Sequence, residues 1–534
     1  MTGVTLDSVL ARRASGALTS AICDARRLMV LQPATFEVVE LVGILCCESL
    51  DYDRGLAILR FAVHLSVNEK KVFSNLAVVY RRLGRSAEAL DALARATALD
   101  PACPTISLQV AADVARTSSD VTPSPVALTM CKAACLLNPQ SADTAHVVAT
   151  IFIRVGKPSE ALEAIWRSLA LSPGIVSSLI TLASISIQAN DFLSAERMYT
   201  RASNVAPEDH DPPYYLSLLQ LRLGVFKEGW RNYEHRWLAS IGKEQLSESK
   251  AVRDSRPQYT GRYRPKRLLI WAEQGIGDEI MFGSLLDEFR VNCDELLVQV
   301  DPRLIDIFSR SLPNIRFFGF DKPISPALYD EQLPIGSLGK FLRPSRESFA
   351  GKGGRYLSAA KGAAERLRSE LRVAKNELLI GICWRAVNPE NRQMRSIPLE
   401  ALLSALNFPG LRFLNLQYAN VDKELSLLDA SLRGCLLHHR DIDLTKNLDG
   451  VAGLIEACDL VISVGNAVAH LSGALGQRTW VLLPQIAGWR WLHGSTTCGW
   501  YESVRLFRQE RRGDWNGVLS DLRAAIDHEI RGRK

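Results

Sequence analysis

Apolar positions in the first half of the chain recur at helical spacing, in pairs of short segments. In SNLAVVYRRLGRSAEALDALARATALDP, residues 74–101, they fall on one face of each of two predicted helices, which a tight turn at Gly84 joins. The ending of this stretch returns along the chain as Leu31-Gln-Pro33, Leu65-Ser-Val67, Leu99-Asp-Pro101, Leu137-Asn-Pro139, Leu171-Ser-Pro173 and Val205-Ala-Pro207. The steps between the last residues of these endings are 34, 34, 38, 34 and 34, which predicts a repeated pair of helices.

The period and the helix–turn–helix pattern resemble tetratricopeptide repeats, about six of them over residues 15–240. The copies differ in clarity, since Asn190 stands where Gly156 and Gly224 mark the turn in other units. A helix pair of this size cannot bury its apolar face alone, so we expect the units to stack into an α-solenoid with a concave groove. The resemblance implies a protein partner in that groove. A structural spacer or a dimerisation surface is the alternative.

The hydrophobic pattern changes after residue 240. Residues 241–264 are polar without a helical stripe and are predicted to form a linker. From residue 265 onward, short apolar runs alternate with helical segments, which is typical of an α/β fold. A break rich in Gly and Arg near residues 343–357 divides this region and predicts two Rossmann-like domains, residues 265–375 and 376–534. The predicted strands are residues 267–273, 295–301, 316–320, 378–384, 411–418, 460–464 and 479–484.

Two predicted strands end in turns that contain glycine. The first carries Gly275, Gly277 and Asp278, and the second carries Gly465 and Asn466. In open parallel sheets, ligands bind outside the carboxyl ends of the strands, where helices point their N–H groups. Because one turn belongs to each predicted domain, we expect the two to face each other across a cleft.

Three segments around these turns resemble the heptosyltransferase-related glycosyltransferases, glycosyltransferase family nine, which have the GT-B fold. The segments are WAEQGIGDEIMF, CWRAVNPENRQMRSIPLEAL (383–402) and LVISVGNAVAHLSGALGQRTWVLLPQIAGWRWL (460–492). With repeats in front and the ending WYESVRLFRQ (500–509), the chain resembles bacterial repeat-plus-glycosyltransferase proteins, some of which glycosylate flagellin. The resemblance implies an inverting transferase that uses a nucleotide-sugar donor.

The resemblance assigns a catalytic role to the acid in the first turn. Gly277 and Asp278 match the family's Gly-Asp, whose carboxylate is the proposed general base for the acceptor hydroxyl. Glu279 is the reserve candidate. The alternative interpretation is that Asp278 only caps the helix that it opens.

The resemblance also places the donor. Arg395 matches a basic residue of the family that holds the donor phosphate, and Arg385 is expected to join it. In the third segment, Gly465-Asn466 stands where the family has Asp-Thr, a departure that argues against heptose and leaves an inactive enzyme open. His470 is either a ligand contact or a core histidine. The predicted donor-binding residues are Gly275, Gly277, Arg385, Arg395, Gly465, Asn466, Ala467 and His470. The predicted pocket wall is Gln417, Trp489, Arg490 and Trp491. Core packing is the alternative for Trp489, Arg490 and Trp491.

Composition narrows the class of protein. With 47% hydrophobic and 23% charged residues, the chain has the make-up of a soluble globular protein. A net charge of +6 over 534 residues predicts no nucleic-acid partner and no polybasic membrane patch. No apolar run is long enough for a membrane span, and the start has no secretory pattern, so we expect a cytoplasmic protein. The 11 scattered cysteines form no C-x-x-C pair and are expected to be free thiols.

The function predicted from the sequence is a metal-independent, inverting glycosyltransferase without a cofactor. It moves a sugar from a nucleotide sugar to a Ser or Thr hydroxyl of a protein acceptor, of flagellin type, which the repeats dock. The first alternative acts on lipopolysaccharide or a lipid-linked glycan. The second is a repeat scaffold whose transferase half is inactive.

Overall fold

Two units make up the structure, Met1–Val205 and Ala206–Lys534. It is a computed structural model that describes residues 4–15, 17–66, 68–100, 135–136, 138–154, 156–240, 255–386 and 393–532. Three predicted segments lie outside these residues: the repeat around 101–134, most of the linker (241–254), and residues 387–392 of the donor segment.

Pairs of helices form the first unit, as the apolar spacing predicted. The helices are α1 (Leu6–Ala14), α2 (Leu18–Leu31), α3 (Phe36–Glu48), α4 (Tyr52–Leu65), α5 (Lys70–Arg82), α6 (Ser86–Leu99), α7 (Ala142–Arg154), α8 (Pro158–Leu171), α9 (Val176–Gln188) and α10 (Phe192–Val205). Consecutive pairs share their cores: Leu59 of α4 and Leu93 of α6 lie in one buried cluster, and Ile165 of α8 and Leu179 of α9 lie in another. A helical solenoid is therefore confirmed for the described part of this unit.

The turns within the pairs α3–α4, α5–α6, α7–α8 and α9–α10 each contain a left-handed residue. Gly84 and Gly156 have φ values of 72° and 73° at these turns. Asn190 takes the same place with φ 60°, which confirms its alignment with the turn glycines. Leu50 also occupies this place, 34 residues before Gly84, with φ 66°. A left-handed conformation costs an L-residue with a Cβ about 1–2 kcal/mol, so the first of these turns is strained.

Replacing Leu50 with glycine should stabilise α3 and α4. The leucine side chain is 73% exposed, so its loss removes little packing. Relief of the left-handed strain, less the greater freedom of glycine in the unfolded chain, gives an expected gain of about 0.5–1 kcal/mol. Hydrogen exchange of the α3 and α4 amides in the full chain measures the gain.

Leu31→Gly is the matched control, because this leucine is also 73% exposed but ends a helix. It should destabilise its helix. Equal effects of the two substitutions would show that the turn at Leu50 is not strained.

One further helix pair belongs to the second unit, and not to the first. It consists of α11 (Asp211–Leu223) and α12 (Phe226–Tyr233), followed by a 3-10 turn, Glu234–Trp237. Trp230 is 1% exposed in the main core of the second unit, and its indole N–H donates to the Arg343 carbonyl (2.7 Å). The predicted repeat region runs to residue 240, whereas the division between the units falls after Val205, because this pair is built into the α/β core.

The first sheet of the second unit has four parallel strands. Its elements are β1 (Arg267–Trp271), α13 (Ile276–Gly283), α14 (Leu286–Phe289), β2 (Glu295–Val300), α15 (Ile305–Ser311), β3 (Arg316–Gly319), β4 (Glu331–Pro334) and α16 (Leu338–Leu342). The strand order is β3-β2-β1-β4, with β1 paired in parallel to both β2 and β4. The chain therefore reverses its direction of growth between β1 and β4, and the turn after β1 lies at this reversal.

The second sheet has six parallel strands. Its elements are α17 (Ala363–Glu370), β5 (Leu378–Cys383), α18 (Leu399–Ala405), β6 (Leu411–Asn415), α19 (Asp422–Ser426), α20 (Ala430–Gly434), β7 (Leu436–Leu437), α21 (Leu448–Ala457), β8 (Leu460–Val464), α22 (Ala467–Ala474), β9 (Thr479–Leu483), β10 (Val504–Arg508) and α23 (Asn516–Arg531). The order is β10-β9-β8-β5-β6-β7, which is the order of doubly wound nucleotide-binding sheets. The reversal lies between β5 and β8, and the turn after β8 carries Gly465 and Asn466.

The sequence pattern missed three strands. β4 has the sequence EQLP, which is short and half polar, and β7 contains only two residues. β10 lies in the quoted ending of the chain, for which no strand is predicted from the pattern. Of the helices in the described ranges, none combines the length and the apolarity that a bilayer crossing requires.

Candidate functional site

The turn after β1 and the turn after β8 lie against each other. α13 starts directly after Gly275, and α22 starts directly after Asn466. A Cβ atom on Gly277 would lie 3.2 Å from Cδ2 of His470 and 3.6 Å from the Cα atom of Ala467. The first turns of the two helices therefore meet at Gly277, as the sequence predicted for these turns. Both helices direct the positive end of their dipole to this place.

Asp278 does not cap α13. The N-cap residue is Gly275, with φ −72° and ψ 160°. Among the described residues, no side-chain hydrogen bond caps the helix. Asp278 is the third residue of the helix, and its own N–H donates to the Gly275 carbonyl (2.8 Å). The alternative interpretation of Asp278 as a cap is therefore wrong. A Cβ on Gly275 would meet no described atom within 4 Å, so packing requires a glycine only at Gly277.

Asp278 forms an ion pair with Arg490, which lies after β9 in the second sheet. Nε of Arg490 donates to Oδ1 of Asp278, and Nη2 donates to Oδ2 (2.7 Å), so the guanidinium binds both carboxylate oxygens. The Asp278 and Arg490 side chains are 12% and 25% exposed. Burial acts to lower the pKa of Arg490, but the carboxylate of Asp278 raises it. The pair thus connects the turn after β1 with the segment after β9, and both side chains are mostly buried.

A second guanidinium and a neutral histidine lie beside this pair. Nη2 of Arg395 donates to the carbonyl of Gly465, immediately before α22. Burial, followed by the nearby charge of Arg490, lowers the pKa of Arg395. Burial and the charges of Arg490 and Arg395 lower the pKa of His470 to about 3, so its imidazole is neutral at neutral pH. Nδ1 of His470 lies 3.2 Å from the hydroxyl of Tyr501. The site contains two cations, one carboxylate and no charged histidine.

Asn466 uses its side chain to hold its own helix. Oδ1 accepts the N–H groups of Val468 (3.0 Å) and Ala469 (3.4 Å), and Nδ2 donates to Sγ of the buried Cys383 (3.0 Å). This is an N-cap of α22. The structure therefore places Asn466 at the predicted turn, but its amide is committed to the fold. Ala467, the first residue of the helix, carries the contact with Gly277.

Arg385 and Gln417 hold the ends of β5 and β6 together. Oε1 of Gln417 accepts the N–H groups of Trp384 (3.1 Å) and Arg385 (2.8 Å). Arg385 in turn donates from Nη1 to Glu424 (3.1 Å) and from Nη2 to the Asn420 carbonyl (2.8 Å), while its buried Nε has no acceptor among the described residues. These hydrogen bonds give both side chains a structural role, which is to join the segments that follow β5 and β6. The structure does not bring them into the Asp278–Arg490 group.

The two predicted wall tryptophans have different surroundings. Trp489 is 5% exposed and packs edge-on against Trp230, with ring centres 5.5 Å apart. Trp491 stacks on His470 at 4.8 Å, and its indole nitrogen would lie only 2.8 Å from a Cβ on Gly465. Trp489 therefore belongs to the aromatic core, which was the alternative interpretation, and Trp491 supports the site. Gly465 is required because the indole covers it.

Glu279 lies behind the turn, away from Arg490. Its side chain is almost completely buried, and Oε2 accepts the N–H group of Asp301 (2.7 Å). Burial raises the pKa of Glu279 to about 8, although the Asp301 N–H acts in the opposite direction. This reserve candidate for the base is therefore a mostly protonated acid at neutral pH, held at the end of β2.

The sequence analysis missed the contribution of the last helix pair. Nε2 of Gln274 donates to the hydroxyl of Tyr233 (2.8 Å), and Oε1 of Gln274 lies 3.5 Å from Nη2 of Arg490. α12 thus reaches the turn after β1. A signal was present, since the WRNYEHRW segment mixes large aromatic and charged residues, unlike the small residues of the repeats. Arg490 itself was predicted only as pocket wall.

Comparisons with known proteins match a repeat family over part of the chain and one relative over most of it. A tetratricopeptide repeat model matches residues 72–105, which include α6 and most of α5. The chain contains a tetratricopeptide repeat. Protein FlbA of Caulobacter vibrioides (strain ATCC 19089 / CIP 103742 / CB 15) is 27% identical over 420 residues, which cover 75% of this chain and 69% of FlbA.

Solved structures resemble part of the chain. TTC0263 of Thermus thermophilus, a tetratricopeptide-repeat protein, is 19% identical and matches 35% of this chain and 100% of its own, with a TM-score of 0.31. MamA of Desulfovibrio magneticus RS-1 is 14% identical and matches 32% of this chain and 96% of its own, with a TM-score of 0.28.

Replacing Glu279 with glutamine should change how stability depends on pH. The folded pKa of about 8 lies above the usual value of 4.5, so the protonated acid stabilises the fold fully below pH 4.5, and this contribution is lost as the pH rises through 8. Glutamine has the shape of the protonated acid and does not titrate. We therefore expect the stability of Glu279→Gln, relative to the parent, to increase as the pH rises from about 5 to about 9.

Urea unfolding at several pH values, followed by tryptophan fluorescence, measures this difference. The slope should approach, at most, about 1.4 kcal/mol per pH unit. A difference that stays constant with pH would mean that Glu279 is ionised in the folded protein.

Proposed function

We propose that the second unit is a glycosyltransferase that moves a sugar from a nucleotide donor to a protein hydroxyl. One observation carries the proposal: a carboxylate, Asp278, and two guanidinium groups, Arg395 and Arg490, meet at the facing carboxyl ends of two parallel sheets. Ligands of such sheets bind at this edge, beside the strand-order reversal. The GT-B arrangement and the transferase activity belong to this proposal, and the sequence resemblance supports both.

The basic side of the site suits the donor. A departing nucleotide gathers negative charge on its phosphate, and preorganised guanidinium groups in a dry cleft stabilise such charge. Arg395 is anchored at the turn before α22, so its position is fixed before any donor arrives. Two guanidinium groups supply the charge that a metal supplies elsewhere, which is the reason for proposing a metal-independent reaction without a cofactor.

The acidic side suits the acceptor. Asp278 takes the proton of the incoming hydroxyl, while the hydroxyl oxygen attacks the anomeric carbon from the side opposite the phosphate. Attack from that side inverts the anomeric centre. The neutral His470 does not compete for this proton, because its low pKa makes it a poor base.

The repeats are proposed to dock the acceptor. A stacked helical array offers a long concave face, whereas the cleft needs to accommodate only one hydroxyl and its neighbours. The resemblance noted above favours a flagellin-type acceptor in the cytoplasm. A catalytically inactive scaffold is the second candidate, and it is favoured by Asn466, whose amide is used as a cap, and by the pairing of Asp278 with Arg490.

The variants Asp278→Asn and Arg395→Ala should separate the two roles. Asparagine cannot accept the proton, so turnover should fall by roughly 10²–10⁴-fold without weaker donor binding. Arg395→Ala should first raise the donor concentration needed for half-maximal rate, since a hydrogen bond to a charged group contributes about 1.5–3 kcal/mol. Initial rates against donor concentration, with thermal melts alongside, give both quantities. Near-normal turnover of Asp278→Asn would remove Asp278 as the base.

The second unit should fold and bind nucleotide without the first, provided that it begins at Ala206. Starting at residue 241 instead removes Arg236, which binds Glu273 through Nε (2.6 Å) and Nη2 (2.8 Å) where both side chains are 1% exposed. Leaving one partner of a buried ion pair costs about 3–5 kcal/mol.

The melting temperatures of chains 206–534 and 241–534 measure this difference, and acceptor labelling by chain 206–534 tests docking. Equal stability would mean that the helix pair is dispensable. Acceptor labelling that is unchanged from the full chain would show that the repeats do not select the acceptor.

A further inference from the structure

Arg490, from the segment after β9, forms an ion pair with Asp278, the proposed base. Its Nε and Nη2 groups bind the two oxygens of Asp278, and its guanidinium carbon lies 4.8 Å from the centre of the Trp489 ring. A guanidinium that binds both oxygens of a carboxylate forms a strong, charge-assisted pair. In this arrangement both carboxylate oxygens of Asp278 accept N–H groups of Arg490, so an incoming hydroxyl must compete with the guanidinium for them.

The surroundings of Arg490 favour a second, anionic partner. Arg490 lies close enough to Arg395 for its charge to lower the pKa of Arg395, and the first turn of α22 adds a positive helix end. The site thus holds two guanidinium groups and one carboxylate, and the carboxylate is bound by Arg490. The Nη1 group of Arg490 has no acceptor among the described residues, so part of its hydrogen-bonding fork remains available.

We propose that Arg490 is a donor-binding residue that exchanges partners: the phosphate of a nucleotide sugar takes its guanidinium from Asp278 and thereby frees the carboxylate. The inference rests on the proposed function and adds an order of events, in which the base becomes competent only after the donor is bound. Water or a hydroxyl that enters the cleft before the donor meets a neutralised carboxylate.

The exchange fits the chemistry of transfer. With the donor bound, the N–H groups of Arg490 donate to phosphate oxygens, and Asp278 accepts the acceptor proton. The acceptor oxygen forms its bond to the anomeric carbon as the bond between that carbon and the phosphate oxygen breaks, and the nucleotide leaves with the electron pair. Return of Arg490 to Asp278 follows release of the nucleotide and of the proton.

A static role for Arg490 predicts different behaviour. If the arginine only braces the two sheets, its loss loosens the cleft but leaves no specific mark on anion binding. The structure offers a control for this, because Arg310 of α15 pairs with Asp449 of α21 and connects the same two halves of the unit. Arg310→Ala removes a brace without touching the Asp278 group.

Calorimetry with the full chain and the nucleotides UDP, GDP, ADP, dTDP and CMP tests the exchange. Arg490→Ala should weaken binding of the preferred nucleotide by about 10- to 150-fold, as expected for loss of a charged hydrogen bond. Asp278→Asn should tighten it by about two- to fivefold, since the nucleotide no longer competes with a carboxylate. The double variant should bind as weakly as Arg490→Ala, and Arg310→Ala should bind like the parent.

Unchanged affinity in Arg490→Ala, or weaker binding in Asp278→Asn when its melting temperature is unchanged, overturns the exchange and leaves the transferase proposal standing. Equal weakening by Arg490→Ala and Arg310→Ala overturns it in favour of a brace. If the parent binds none of the five nucleotides, the proposed function fails together with the inference.

Discussion

The close approach of α13 and α22 is the constraint on which the candidate site depends. Each helix begins at the end of a parallel strand, and the two first turns can meet because Gly277 has no side chain, with the ring of His470 just beyond. This approach brings the strand-order reversals of both sheets to one place. It also sets the distance over which Asp278 reaches Arg490. A larger residue at Gly277 would collide with His470 and Ala467, and would therefore separate the first turns of α13 and α22.

Electrostatics follow from that geometry. Removing charged groups from water is unfavourable unless they are paired or hydrogen-bonded, and the site holds two guanidinium groups but one carboxylate. Arg395 is satisfied in part by a backbone carbonyl, and Arg490 by Asp278. His470 avoids the cost by remaining neutral. The resulting excess of positive charge suits an anionic ligand.

The helix pair α11–α12 shows that a repeat in the sequence and a unit of structure need not end at the same residue. Its spacing continues the 34-residue period, but its buried surface is aromatic and faces the first sheet. The Arg236–Glu273 pair and the bond from the Trp230 indole fasten it there. A segment with the pattern of a binding repeat has thus become part of the wall behind the proposed catalytic turn, where Tyr233 contacts Gln274.

Much of the fold was readable from local pattern, because apolar period and turn glycines act within one element or between neighbours. The 34-residue repeat, most strands and the two marked turns are of this kind, and Asn190 could be aligned with glycines from spacing alone. Polar or very short strands such as β4 and β7 carry too little apolar signal. Because α11 and α12 continue the 34-residue period, the sequence pattern did not show that they belong to the second unit.

The sequence by itself determined the helical repeats, the α/β alternation and the placing of Gly277, Asp278 and Arg395 near strand ends or turns of the predicted cleft. Only the tertiary structure decided which partner each side chain takes. Asp278 pairs with Arg490, which lies 212 residues away in the chain. Glu279 is buried against Asp301. Arg385 and Gln417 hydrogen-bond to each other at the ends of β5 and β6. The physical reason is that burial and charge pairing depend on distances between elements, and no spacing along a single element records those distances.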